Sequence, residues 1–190
     1  PNLRGIFSVS LLLSLGFAFF TQFFAVYLMQ RFKMPEKDIG LIFAWVGVWL
    51  VFTQGVTVRR LSRSVSPQTV LRYSILLLSI SVPLVLIPDN PWAVMWINPF
   101  IATFQGVTSP NLTTVVSGQA SVEEQGEILG INQSMISVGQ LAPPLIAGYL
   151  NSLNGAFPIL AGGITIFFGW VAYISLQLKT AKRGSHEKEK

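Results

Sequence analysis

The sequence has 190 residues, 51% of them hydrophobic and 11% charged, where a typical soluble domain carries about 25% charged residues. No Asp, Glu, Lys or Arg occurs between Arg4 and Arg31 or between Glu127 and Lys179, and about 20 apolar residues suffice to cross a bilayer, so the chain reads as an integral membrane protein. With no cysteine, and with its one histidine, His186, in a charged tail, it excludes disulfides, thiolate metal sites and any His-based triad or metal cluster inside the membrane.

No phosphate-binding Gly-x-x-x-x-Gly-Lys motif is present, and neither a cofactor nor a metal is expected. The chain begins at Pro1, with Arg4 directly before the first span and no signal-peptide pattern. It reads as a piece of something longer.

Six helical spans are expected. The first covers about 5–30 and ends at Arg31 and Lys33, and a turn with an acidic helix start follows at 35–38. The second covers 39–58. The segment 59–67, with Arg59, Arg60 and Arg63, reads as a basic loop. The third span runs from about 68 to 87, with Arg72 snorkelling to the headgroups. Pro88 to Pro91 form a turn. The fourth covers about 91–117, interrupted by Pro99 and Pro110. The fifth covers about 124–150, a turn follows at 151–155, and the sixth ends near Leu178. Residues 1–178 are thus one transmembrane domain and 179–190 a solvated, charged tail. Ten of the 13 Lys and Arg residues fall on the side that holds both ends, and Arg31, Lys33 and Lys37 on the other. This split places both termini in the cytoplasm of a cell (inner) membrane protein. It also explains the net charge of +5 without nucleic acid as a partner.

A shift of 86 residues brings Asp38-Ile-Gly40 onto Glu124-Gln-Gly126 and Gln54 onto Gln140, and superposes the first three spans on the last three. Three spans reverse the direction of crossing. The expected fold is therefore all-α and membrane-embedded, six transmembrane helices in two inverted three-helix repeats.

Amides in hydrocarbon are costly unless paired or hydrated. The fourth span holds Asn98, Thr103, Gln105, Thr108, Ser109 and Asn111. The fifth carries Gln133, Ser137, Gln140 and Pro144 along one side of a 3.6-residue helix, and Gly126, Gly130 and Ser134 at small-xxx-small spacing. The first has Gln22, and the second Gln54 with Trp45 and Trp49. Spans one, two, four and five should lie inside the assembly, and three and six outside. Gln22, Asn98, Gln105 and Asn111 either line a substrate path or tie helices together; as a set, at least one should line a cavity. The phenylalanines of the first span read as packing or lipid contacts. No carboxylate, Lys, Arg or His lies deep in a span, so a proton carrier must come from elsewhere.

The strings Arg4-Gly-Ile-Phe7, Gly16 to Phe24 and Gln125 to Asn132, on this architecture, resemble the C-terminal half of a major facilitator superfamily transporter, in particular bacterial drug:proton antiporters of the tetracycline-resistance type. The resemblance covers the chain up to its tail. Gly55, Arg60 and Arg63 match the spacing of the family's cytoplasmic Gly-x-x-x-Asp-Arg-x-Gly-Arg signature. Arg59 stands at the acid and Ser62 at the second glycine, which puts a charge-relay role in doubt. The resemblance implies that the first and fourth helices of each half line a central cavity. It implies that the second and fifth meet the other half, so Gln54, Gln133, Ser137 and Gln140 become candidates for that interface. The expected partners are an N-terminal six-helix half, a small-molecule substrate and the lipid bilayer.

The resulting expectation is a secondary transporter, not an enzyme, that exports a small amphipathic compound in exchange for protons by alternating access. The rivals are a metabolite or sugar uptake carrier of the same superfamily, a six-span membrane enzyme, and a transport-dead scaffold. The enzyme would need a membrane-buried acid or histidine that the sequence lacks.

Overall fold

A computed structural model describes residues 3–188, with the side chains of all of these except 62 and 181–188. Among the described residues the chain is helical with short turns: α1 (Leu3–Phe32), α2 (Glu36–Phe52), a π-helical segment (Thr53–Val58), α3 (Arg59–Ser64), α4 (Pro67–Leu84), α5 (Pro91–Ser117), α6 (Gln125–Leu153) and α7 (Phe157–Lys188). Phe52, Thr53, Val58 and Arg59 all keep right-handed helical dihedrals. Hence α2, the π-segment and α3 form one rod, and six rods result.

The segment 59–67 is therefore not a loop. Arginine is a good helix former, and nothing in Arg59–Ser64 breaks the backbone. The break comes at Val65, which is extended, and at Ser66, whose side chain caps α4 with Pro67 in its first turn. Between α1 and α2, Lys33 takes a left-handed φ of 56°, the geometry that commonly closes a helix C-terminus, and Pro35 opens the next helix. At the other end α7 continues through Lys188, ten residues beyond the expected end, because no proline interrupts a stretch of good helix formers. The side chains of the tail, His186 among them, lie outside the described residues.

Three rods are long and apolar enough to cross a bilayer by themselves: Leu3–Phe32, Glu36–Leu61 and Phe157–Thr180. α4, α5 and α6 are more polar. α4 carries Arg72 on an exposed face and its 18 residues reach only about 27 Å; α5 and α6 are diluted by amides, hydroxyls, glycine and proline. Six spans emerge because these three lie alongside the first three.

α5 is also not interrupted: Pro99 and Pro110 both sit inside one continuous helix, as Pro83 does in α4 and Pro143 and Pro144 in α6. A helical proline leaves the carbonyl four residues earlier without its donor, and neighbouring helices can replace it. Pro99 releases the Met95 carbonyl, which accepts from Trp45 Nε1 of α2 at 3.1 Å. Pro144 releases the Gln140 carbonyl, which accepts from Gln22 Nε2 of α1 at 3.2 Å.

The packing is symmetric. α1 packs on α6 and α7, α5 packs on α2 and α4, and α4 packs on α7. Exchanging α1 with α5, the α2–α3 rod with α6, and α4 with α7 turns each of these contacts into another, or α4–α7 into itself, as two inverted three-helix repeats require. Both symmetry-related crossings between the repeats use a small residue: Gly139 of α6 lies against the α1 backbone at Leu11 and Leu15, and Gly106 of α5 against Thr53.

The core lies between α1, α4 and α7, where Val9, Phe24, Leu28, Leu71, Ile75, Leu78, Val82, Ile159 and Ile166 are fully buried. The phenylalanines of α1 pack within it, with Phe20 and Phe24 centroids 4.9 Å apart. Only α1 and α5 of the four polar spans have interior places in this chain. The rod from Glu36 is 17% buried over its most apolar window against 44% for α1. With α6 it forms the flanks, exposing Val48, Val51, Phe52, Leu141, Leu145 and Tyr149.

Candidate functional site

α1, α5 and α6 line an open cavity of about 280 Å³. Serine, threonine and glutamine recur on one side of α1, which brings Ser10, Ser14, Thr21 and Gln22 to its wall. Gln105, Thr108 and Ser109 come from α5, Ile136 and Gln140 from α6, and Leu13, Phe17, Ala18 and Leu112 supply the apolar remainder. No charged side chain lines it.

The hydroxyls are tied down. Ser10 donates to Ile6 O at 3.2 Å, Ser14 to Leu11 O at 3.0 Å, Thr21 to Phe17 O at 3.1 Å and Thr108 to Phe104 O at 2.7 Å. Ser14 and Thr21 spend their hydrogen on their own helix and present lone pairs to the cavity, whereas Ser10 and Thr108 are buried and Thr108 is also bonded to Ser74 Oγ of α4 at 2.8 Å. Gln22 is held by the proline-released Gln140 carbonyl. The side-chain amides of Gln105 and Gln140 make no hydrogen bond to protein among the described residues, so both are open to a ligand or water.

Of the four amides expected on a substrate path, Gln22 and Gln105 line this cavity and Asn98 and Asn111 do not. Both asparagines are buried and fold back on their own helix, Asn98 Nδ2 to Val94 O at 3.1 Å and Asn111 Nδ2 to Val107 O at 2.8 Å. They thus do not line this cavity, and these hydrogen bonds stay within their own helix. Gln140, expected at an interface, also reaches the cavity wall. Gln54, Gln133 and Ser137 are exposed on the flanking rods; Gln54 lies in the π-segment, and Ser137 donates to Gln133 O at 3.0 Å. Gly55 has open space where a side chain would begin, and Arg60 and Arg63 are exposed on α3. Ser62, at the motif's second glycine, has its side chain outside the described residues.

Sequence reasoning missed Ser10, Ser14 and Thr21. Their spacing of four and then seven residues, ending beside Gln22, is the signal that could have found them. It also missed the π-segment, a form of helix found often at functional sites. A larger cleft of about 660 Å³, lined by Ile6, Gln68, Gln119, Tyr173 and Gln177 among others, opens where α1 and α4 begin. It lies at the end of the bundle, away from the mid-span amides, and the smaller cavity is the better candidate. Trp49 Nε1 is buried with no partner in the aromatic cluster of Trp45, Trp96 and Phe52. Among the described residues no group of His, Asp or Glu could hold a metal ion.

Residues 6–190 match the sequence model of the Major Facilitator Superfamily. The chain is 27% identical over 180 residues to multidrug resistance protein 1 of Bacillus subtilis (strain 168), covering 92% of this chain and 46% of that protein. It is 26% identical over 159 residues to the quinolone resistance protein NorA of Staphylococcus aureus (strain MSSA476), covering 83% and 41%. The chain thus spans less than half the length of these curated relatives. Its fold is similar to that of the human organic anion transporter MFSD10 (TETRAN), with a TM-score of 0.83, 21% identity, and coverage of 90% of this chain and 40% of that one. A peptide transporter, POT, solved with sulfate, gives a TM-score of 0.78 at 17% identity, covering 92% and 37%.

Proposed function

The chain belongs to the major facilitator superfamily, a family of transporters rather than enzymes, and on that premise we propose that it forms the C-terminal six-helix half of a secondary active transporter exporting small amphipathic compounds. The observation that carries this reading is the uncharged, amide-lined cavity between α1, α5 and α6, beside flanks that nothing in this chain covers. An N-terminal half docked on the α2–α3 rod and α6, with Gln54, Gln133 and Ser137 at the seam, would close the cavity from the other side. Rocking of the two halves would then expose it to each side of the membrane in turn.

Export rather than uptake is favoured by the drug-resistance relatives. Proton coupling would draw its carrier from the other half, since no carboxylate is buried among the described residues of this one. Both termini and the charged segment 179–190 would face the cytoplasm, where Arg60 and Arg63 hold the orientation by the positive-inside rule.

The test is efflux from inverted vesicles or cells containing the native-length protein, with and without a proton gradient. Energised expulsion of an amphipathic dye that collapses with the gradient is expected, with Gln105→Leu lowering it severalfold. Gradient-driven accumulation of a polar metabolite in place of dye expulsion would replace the proposal with an uptake carrier.

A further inference from the structure

The α1 side of the proposed substrate cavity is rich in acceptors. Ser14 and Thr21 have each committed their hydroxyl hydrogen to a carbonyl of their own helix, so they offer lone pairs only. To these Pro144 adds the Gln140 backbone carbonyl, which has lost its helical donor and is covered by Gln22 Nε2 at 3.2 Å. A side-chain amide on an exposed, rotatable stem is an exchangeable cover. The other proline-released carbonyl with a replacement donor differs in this respect. Met95 O is held by Trp45 Nε1, which is packed against Trp49 and Trp96 and lies outside the cavity.

We propose that the Gln140 carbonyl is a ligand-binding position that takes an N–H donor, best a primary ammonium on an amphipathic compound, and that Gln22 is the internal donor the ligand displaces. An ammonium has three hydrogens and no lone pair. It therefore matches a wall of carbonyl and hydroxyl acceptors, and its charge strengthens each bond. A quaternary ammonium has the same charge and no hydrogen to give, so it gains nothing from this carbonyl. Displaced from Gln140 O, Gln22 also gives up its hydrogen bond to α6, so ligand entry and the loss of one tie between α1 and α6 become one event. The inference rests on the reading of this cavity as part of the substrate path.

The test compares dansylcadaverine, a fluorescent primary amine, with its trimethylammonium derivative, binding to the native-length protein in liposomes. Pro144→Ala restores the backbone N–H that fills Gln140 O, and should weaken the primary amine roughly tenfold while leaving the quaternary analogue unchanged. Gln22→Ala removes the competing donor and should move the primary amine the other way, to severalfold tighter binding. If Pro144→Ala does not fold, the sign of the Gln22→Ala effect decides. If both amines bind and neither variant alters their ratio, this inference is overturned while the cavity reading stands. If neither amine binds the unmodified protein, both fall together.

Discussion

At Gly16 and Gly162, α1 and α7 touch backbone to backbone. A methyl group added at Gly16 would lie 2.7 Å from the Gly162 carbonyl and 2.9 Å from the Ile166 nitrogen, and one at Gly162 would lie 2.7 Å from the Gly16 carbonyl. Main chain cannot step aside as a side chain can. Gly16→Ala and Gly162→Ala should each destabilise the half by about 1–3 kcal/mol, read as a lowered midpoint in detergent-titration unfolding. Gly47→Ala, which meets nothing, should be neutral or slightly stabilising. Wild-type midpoints for both crossing variants would refute the close contact. A second prediction concerns Pro99. Trp45→Phe uncovers Met95 O and should cost about 1–3 kcal/mol; in a Pro99→Ala background the restored N–H fills that carbonyl, and the same change should cost much less, a coupling that a double-mutant cycle measures. This pair also shows where reading the sequence stops. A proline in a helical pattern reads as an interruption, because the donor that repairs it lies some fifty residues away and has no local signature. Asn98 and Asn111 lie off the cavity for a related reason: an amide that bonds the carbonyl four residues back does so within its own helix, and its residue type does not say which bond it chooses.

Helix positions were legible where charges and turn residues mark them. The bounds expected for the fourth span, 91–117, are those of α5, set by the Asn90 cap and the proline after it at one end and Gly118 at the other. What was not legible was continuity, since the basic segment after the second span continues as helix through α3 and the π-segment leaves no mark in an apolar run. The glycines sort the helix faces further. Gly5 and Gly16 of α1, Gly162, Gly163 and Gly169 of α7, Gly106 of α5 and Gly139 of α6 meet neighbours, whereas Gly40, Gly47 and Gly55 of the α2–α3 rod and Gly126, Gly130 and Gly148 of α6 meet nothing within 4 Å. Gly40 and Gly126 are also equivalent in the two repeats. Small residues in a membrane helix let another backbone approach, so the uncovered ones mark the side on which a partner should sit. Gly126→Leu and Gly130→Leu should therefore leave the fold of this half intact, with unchanged circular dichroism and unfolding midpoint. In the native-length protein they should lower efflux by an order of magnitude or more. Full efflux by the double variant would move the seam off α6.

The symmetry of the six rods shows where the proposed partner half would sit. The two repeats bury α1, α4, α5 and α7 against one another and leave the α2–α3 rod and α6 as equivalent flanks, each apolar and each carrying exposed amides. A lipid-facing helix has no use for Gln54, Gln133 and Gln140, because an amide without a partner in hydrocarbon costs free energy; a helix facing protein or a water-filled cavity does. The cavity of α1, α5 and α6 lies beside these flanks and is bounded by protein on one side, so a molecule bound there would meet acceptors on that side and nothing on the other. The proposed alternating access needs two rigid bodies that rock about one site, of which this chain would supply one. The 190 residues reconstituted by themselves, at a protein-to-lipid ratio low enough to leave single copies per vesicle, should therefore show no gradient-driven dye movement. At higher density, pairing of two copies through the same flanks would supply the missing wall, and any activity that appears should rise with the square of protein density and vanish with Gly126→Leu. Linear, density-independent transport by single copies would mean that one half can gate itself, and the two-body mechanism would have to be abandoned for this protein.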